Sequence, residues 1–292
     1  MAKFIHCVGI QKSGTTLLDS LIKKTGLVCC PFPSEGEHFW GQVPWHSPTA
    51  YPAGSLYQHY KGEKGHVLDS FDAIPKIVSD LNGVFNTQIK TDLDFIYNKH
   101  PTNTVRVPWV KAIFPESFII STVRNPVANV FSIYKRFQSG NDYSENGWWG
   151  TKPANWKEIL RDDKLIQCAL LWDSVNKKLI DDISQVELVI PYHDMCDRPH
   201  FWLSNILSKA SGSNYDLSNL ELPELKCFDQ EYNTGSRLES KNNYIYKYGK
   251  IDIPNDTNIE LQGLTKDQIN SVMEICGETY EQLLNISKDL SS

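Results

Sequence analysis

Residues 3 to 10, KFIHCVGI, are apolar almost without a break, the pattern of a strand buried on both faces of a parallel sheet. A polar turn follows, and then Leu17, Leu18, Leu21 and Ile22 recur at helical spacing until Gly26 stops them. GLVCC predicts a second strand. Two helices are predicted between Phe71 and Tyr97, and a shorter one from Thr104 to Phe114, stopped by Pro115. SFIISTV, Ser117 to Val123, is rich in β-branched residues and predicts a strand ending at Arg124-Asn125-Pro126; VANVFSIYKRF after it is helix-compatible. The unit of strand, polar turn and helix therefore occurs twice. Asn155 to Ile183 predicts a long amphipathic segment, Val186 to Tyr192 (VELVIPY) a strand, and LTKDQINSVMEICGETYEQLL a closing helix. Such alternation implies one α/β domain over residues 1–292, with a mainly parallel sheet and helices on both faces.

Two stretches break the periodicity. Residues 31–66 and 139–153 are rich in Pro, Gly and aromatic residues, and loops of that length are predicted lids or binding loops. Trp40, Trp45, Tyr51, Tyr57, Trp148 and Trp149 lie in them, either to line an acceptor pocket or to anchor the loops on the core; the sequence leaves both open.

Composition narrows the partners. Among 292 residues, 35 acids against 29 bases leave a net charge of -6, so no broad basic face for nucleic acid is expected. No apolar run approaches the ~20 residues of a membrane span, and the first ten residues read as a strand, not as a secretion signal. Seven cysteines, an odd number without a CxxC pair, are expected as reduced thiols in a cytoplasmic protein, with Cys29 and Cys30 as packing residues.

The sharpest local signal is the turn Gln11-Lys12-Ser13-Gly14-Thr15-Thr16 between the first strand and its helix. Backbone amides and the positive end of a helix converge there on an anion, with Lys12 adding a charge and Ser13, Thr15 and Thr16 adding hydroxyls. Gly9 and Gly14 have the spacing of the ATP-binding loop GxxxxGK[ST], but Thr15 stands where that loop has its lysine. The lysine precedes the glycine instead, which disfavours an ATP-using enzyme.

KSGTTLL after an apolar strand resembles the 5′-phosphosulfate loop of sulfotransferases that use 3′-phosphoadenosine 5′-phosphosulfate (PAPS). The resemblance implies a P-loop-NTPase-like three-layer fold. It also implies that Arg124 and, eight positions later, Ser132 grip the donor's 3′-phosphate. Arg136, one helical turn on, matches a basic position of the tyrosylprotein branch. A guanidinium fork suits a phosphate dianion because it donates two charge-assisted hydrogen bonds.

Looser matches to the bacterial and tyrosylprotein-type members extend over most of residues 3 to 285. VELVIPYHDM nominates Tyr192 for the adenine side of the donor. Lys99-His100-Pro101, Arg106-Val107-Pro108 and Phe114-Pro115 resemble a Lys-x-Pro, Arg-Ile-Pro and Phe-Pro run, which puts Lys99 near the transferring group. Ser236-Arg237-Leu238-Glu239 and Lys247 resemble the Ser-Lys-x-Glu segment and the lysine after it.

The implied chemistry is in-line, metal-independent transfer of a sulfuryl group to a hydroxyl of a carbohydrate, lipid, small alcohol or tyrosyl side chain, with adenosine 3′,5′-bisphosphate as product. A small or neutral acceptor is favoured. Lys12 would sit on the bridging oxygen, and Lys99 and Ser236 on the sulfuryl oxygens. Glu37 would be the base, with Glu35, His38, His59 and His66 as rivals. The alternatives are a P-loop nucleotide or small-molecule kinase and a non-catalytic nucleotide-binding protein.

Overall fold

The computed structural model describes residues 2–32, 34–36, 63–138, 148–222 and 263–291. Among them lie five strands: β1 (Lys3–Val8), β2 (Val28–Cys29), β3 (Phe95–Lys99), β4 (Phe118–Val123) and β5 (Leu188–Pro191). They form one sheet in the order β2-β3-β1-β4-β5, and each neighbouring pair is parallel. The first strand is thus central, and chain order reverses about it, an arrangement in which open α/β sheets bind ligands outside the carboxyl ends of the strands.

Strand periodicity sorts the core into two layers. From β1, Phe4 and Val8 point to one side, and Ile5 and Cys7 to the other. The first side packs against α2 (Pro75–Gln88), α3 (Val107–Ile113), α4 (Pro126–Gln138), α5 (Lys164–Asp181) and the closing helix α8 (Lys266–Ser291). The second is covered by α1 (Thr15–Lys24), α6 (Tyr192–Asp197) and α7 (Pro199–Ser211), through Leu17, Leu18, Leu21, Met195, Trp202 and Leu203. The three-layer α/β architecture expected from the sequence is therefore present, and the sheet is parallel throughout.

Several elements differ from expectation. Between Phe71 and Tyr97 there is one α-helix, α2, preceded by a short 3-10 turn at Ser70–Asp72, and Phe95–Lys99 is the strand β3. The apolar residues Phe95, Ile96 and Tyr97 are buried between β1 and β2, and pairing on both edges overrides any local helical preference. The predicted helix at Thr104–Phe114 is split into a 3-10 turn at Pro101–Val105 and α3, with Arg106 between them. Helix α5 begins later than Asn155, because Asp163 accepts hydrogen bonds from the Leu165 and Ile166 amides and caps it. Tyr192 opens α6 instead of ending β5, and α7 had no counterpart in the predicted elements.

The end of the second predicted lid is part of the core. Trp148 is buried against Trp156 at 5.8 Å between ring centroids, and Thr151 and Lys152 are buried beside it. At position 148 the anchoring alternative holds, not the pocket-lining one.

Among the described residues no helix is long and apolar enough to cross a membrane. Six cysteines there are free, and burial pushes the Cys7 thiol up to about 12, so it is an inert core residue.

Candidate functional site

Parallel pairing brings three chain segments to one edge of the sheet. Val8 of β1 is opposite Ser121 of β4, and Cys7 is opposite Lys99 of β3. The loop after β1 therefore leaves the sheet between the end of β3, which carries Lys99, and the end of β4, which leads to Arg124.

The loop reverses direction through Gly9 (φ 137°), Lys12 (φ 69°) and Gly14 (φ 106°). Gly9 has no room for a side chain: a methyl there would lie 2.6 Å from Thr122 Oγ1 and 2.8 Å from the Thr122 carbonyl oxygen. Its amide donates to Thr104 Oγ1 at 2.8 Å. Gly14 is the N-cap of α1, and no side chain caps that helix and no acid sits in its first turn. The positive end of α1 is thus available to an external anion. By contrast, Asn125 Oδ1 accepts from the Val127 and Ala128 amides and caps α4, with Pro126 at its start. Asn and Pro of the Arg-Asn-Pro turn thus build the helix start, and the anion-binding potential of that turn rests on the arginine.

Arg124 joins the two turns. It is buried, its Nη1 donates to the Lys12 carbonyl at 3.2 Å, and its guanidinium carbon lies 4.7 Å from the centre of the Tyr192 ring. Tyr192 in turn covers Gly14, where an added methyl would meet Tyr192 Cδ2 at 2.4 Å. The loop after β1, Arg124 and Tyr192 thus form one contiguous patch.

On the opposite flank, Lys99 is buried, with Nζ 3.4 Å from Thr16 Oγ1 and in an ion pair with Glu35. Glu35 is held in the left-handed region (φ 66°), and its carbonyl accepts from Asn98 Nδ2 at 3.1 Å. Thr16 is exposed, whereas Thr15 is buried.

Ser13 is fully buried, its hydroxyl is 2.8 Å from Thr122 Oγ1, and its amide donates to the Ile10 carbonyl at 3.1 Å. The hydroxyl contact pins the loop to β4. Ser132 and Arg136 lie half-buried four residues apart on α4. Glu37, Ser236 and Lys247, the rivals His38 and His59, and Trp40, Trp45, Tyr51 and Tyr57 lie outside the described residues.

Sequence reasoning missed the supports of the loop. Asn129 donates to the Gln11 carbonyl at 2.8 Å and accepts from Trp172 Nε1 at 3.2 Å. Gln11 in turn is bonded through its side chain to Thr151. The signal for Asn129 was its position, a polar residue on the buried face of an amphipathic helix three residues after Pro126.

Residues 5–211 match the sulfotransferase family, and the chain belongs to it. It is a transferase of sulfuryl groups. Among solved structures, the chain is similar to a sulfotransferase from Alicyclobacillus acidocaldarius, at 16% identity over 73% of this chain and 82% of that one, with a TM-score of 0.41. It is similar to a sulfotransferase from Mycobacterium avium, at 10% identity over 96% of this chain and 76% of that one, with a TM-score of 0.46. The sulfotransferase domain of the olefin synthase of Synechococcus PCC 7002 gives 15% identity over 74% of this chain and 76% of that one, with a TM-score of 0.43. No curated protein matches the chain.

Proposed function

We propose that the chain transfers the sulfuryl group of PAPS to a hydroxyl of a small or neutral acceptor and releases adenosine 3′,5′-bisphosphate. The observation that carries this reading is the contact between Arg124 Nη1 and the Lys12 carbonyl, with Tyr192 across Gly14. Two anion-binding turns 112 residues apart in the chain become two ends of one site, as a doubly phosphorylated adenosine requires.

The roles follow from charge. The uncapped start of α1 and Lys12 take the 5′-phosphate, which gains negative charge as the sulfuryl group departs. Arg124, with Ser132 and Arg136 on α4, takes the 3′-phosphate. Tyr192 offers a ring face toward the adenine side. Lys99, beside Thr16 and β1, stabilises the sulfuryl oxygens in flight. The positioned cations make in-line transfer possible without a covalent intermediate.

Proton removal falls to a carboxylate after β2. Glu37 is the base in this proposal, and Glu35, which is paired with Lys99, keeps that lysine in place between turnovers. Ser236 and Lys247 complete the donor contacts. The proposed place of action is the cytoplasm.

A thermal-shift series tests the reading. Adenosine 3′,5′-bisphosphate at about 100 times its dissociation constant is expected to stabilise the protein by ~2.7 kcal/mol, and ATP with Mg²⁺ is expected to give less. Stabilisation by ATP with Mg²⁺ alone would overturn the donor assignment in favour of a kinase.

A further inference from the structure

Behind the proposed phosphate loop, on the side away from Tyr192, a circuit of polar contacts, buried from Lys152 to Arg106, links Lys12 to Lys99. Gln11, next to Lys12, bonds Thr151 through both ends of its amide: its Nε2 donates to Thr151 Oγ1 at 3.0 Å, and its Oε1 accepts from the Thr151 amide at 3.2 Å and from Thr151 Oγ1 at 3.1 Å. The next residue, Lys152, forms a reciprocal pair with His66. The Lys152 amide donates to His66 Nδ1 at 2.9 Å, and the His66 amide donates to the Lys152 carbonyl at 2.8 Å. The His66 carbonyl accepts from Arg106 Nε at 2.8 Å. Arg106 closes the 3-10 turn that begins just after Lys99-His100, and the His100 amide donates to the Cys7 carbonyl on β1 at 3.0 Å. Lys99 then returns to the start of α1 through Thr16.

His66, Thr151, Lys152 and Arg106 are all buried, so water does not compete for the bonds of His66 with Lys152 and Arg106. The junction is also sterically locked. Gly65 has φ 57°, and a methyl there would lie 2.5 Å from the Lys152 carbonyl oxygen and 2.4 Å from that of Pro153. Only glycine lets the strand of chain bearing His66 lie this close to the one bearing Thr151 and Lys152.

From this circuit we infer that His66 is a positioning residue for sulfuryl transfer: through Lys152, Thr151 and Gln11 it fixes the phosphate loop, and through Arg106 it fixes the end of β3, so that Lys12 and Lys99 keep their spacing. His66 acts through its Nδ1 as an acceptor and touches no reacting atom. It was considered above as a rival base, and its buried hydrogen-bonded place makes it a support instead. The catalytic consequence rests on the proposed function; the loop-ordering consequence does not.

The test is hydrogen exchange on the full chain, read in peptides covering residues 9–16 and 118–123. His66→Ala is expected to speed exchange of the phosphate-loop peptide by about tenfold or more, through local opening that leaves the β4 peptide protected. In His66→Asn the side-chain oxygen takes the place of Nδ1 and is expected to restore protection, whereas in His66→Gln the oxygen lies at the position of Nε2 and does not. Thr151→Val is expected to loosen the same peptide, with an effect that does not add to that of His66→Ala. Adenosine 3′,5′-bisphosphate affinity and turnover of PAPS are measured alongside, and turnover is expected to fall more than affinity.

Equal exchange in wild type and His66→Ala would overturn the inference, as would equal behaviour of the Asn and Gln variants. Uniform loss of protection in both peptides would also overturn it, since it would mark His66 as a general core residue. If the bisphosphate does not bind any variant, the donor assignment fails while the exchange result still decides the role of His66.

Discussion

Tyr192 lies over Gly14 with its ring 4.7 Å from the Arg124 guanidinium carbon, so residues from the ends of three strands close one corner of the site. Because the ring abuts the loop backbone, the corner depends on a missing side chain at position 14. Gly14→Ala is expected to destabilise the fold by about 1–3 kcal/mol, from a strained left-handed backbone and the clash, and to abolish bisphosphate binding. Adding Tyr192→Ala removes the clash but not the strain, so denaturant midpoints are expected to recover only in part.

Arg124 is expected to contribute to the donor site through charge-assisted hydrogen bonds. Arg124→Ala removes at least one contact worth ~1.5–3 kcal/mol, and titration calorimetry is expected to show adenosine 3′,5′-bisphosphate binding weakened by at least about 10- to 150-fold. Arg124→Lys keeps the charge but loses the fork, and is expected to recover little of it. Unchanged affinity in Arg124→Ala contradicts the 3′-phosphate role.

The two carboxylates after β2 are separable by single substitutions. Glu37→Gln is expected to lower kcat by ~10²–10⁴, the range of a lost general base. Glu35→Gln is expected to lower it less, because the substitution frees Lys99 without deleting it. A reversed order in steady-state rates would move the base to Glu35.

Lys99→Ala is expected to lower kcat by ~10²–10³, as for other preorganised donors, and to leave bisphosphate affinity nearly intact, since the lysine is assigned to the sulfuryl oxygens. A change confined to affinity would place Lys99 on the nucleotide.

Buried histidines set the acid side of the stability curve. Burial pushes the pKa of His6 down to about 3, and those of His66 and His100 well below the ordinary range, with nearby Arg106 adding to the effect at the latter two. A histidine whose folded pKa is depressed stays neutral in the fold while the unfolded chain takes up the proton. Stability is therefore complete above about pH 6.5 and is lost as the pH falls toward the folded values. Urea midpoints are expected to be level between about pH 7 and 8 and to fall steadily below about pH 6.5. A level midpoint down to about pH 4.5 contradicts this.

How far the sequence could be read depended on how local the cause was. The turn at residues 11–16 and Arg124-Asn125-Pro126 were legible as turns into helices because turn and helix start are written in consecutive residues. β3 was not, because Phe95–Lys99 owes its extended form to partners on both sides, Lys3–Cys7 and Val28–Cys29, which are distant in sequence. The partner of the Ser13 hydroxyl was not legible for a similar reason: Thr122 is 109 positions away. The circuit through His66 was invisible to motif reading, since its members are spread from Gln11 to Lys152 and joined mostly through backbone groups.

Among the described residues, Lys12 and Glu35 are the non-glycine residues with positive φ, and each is a charged group flanking the proposed point of transfer. Lys12→Gly would give that backbone a residue at ease in its twist and would make the folded protein hardier while stripping the charge from the departing oxygen. Selection for heat tolerance alone would therefore drift away from the working enzyme at this position.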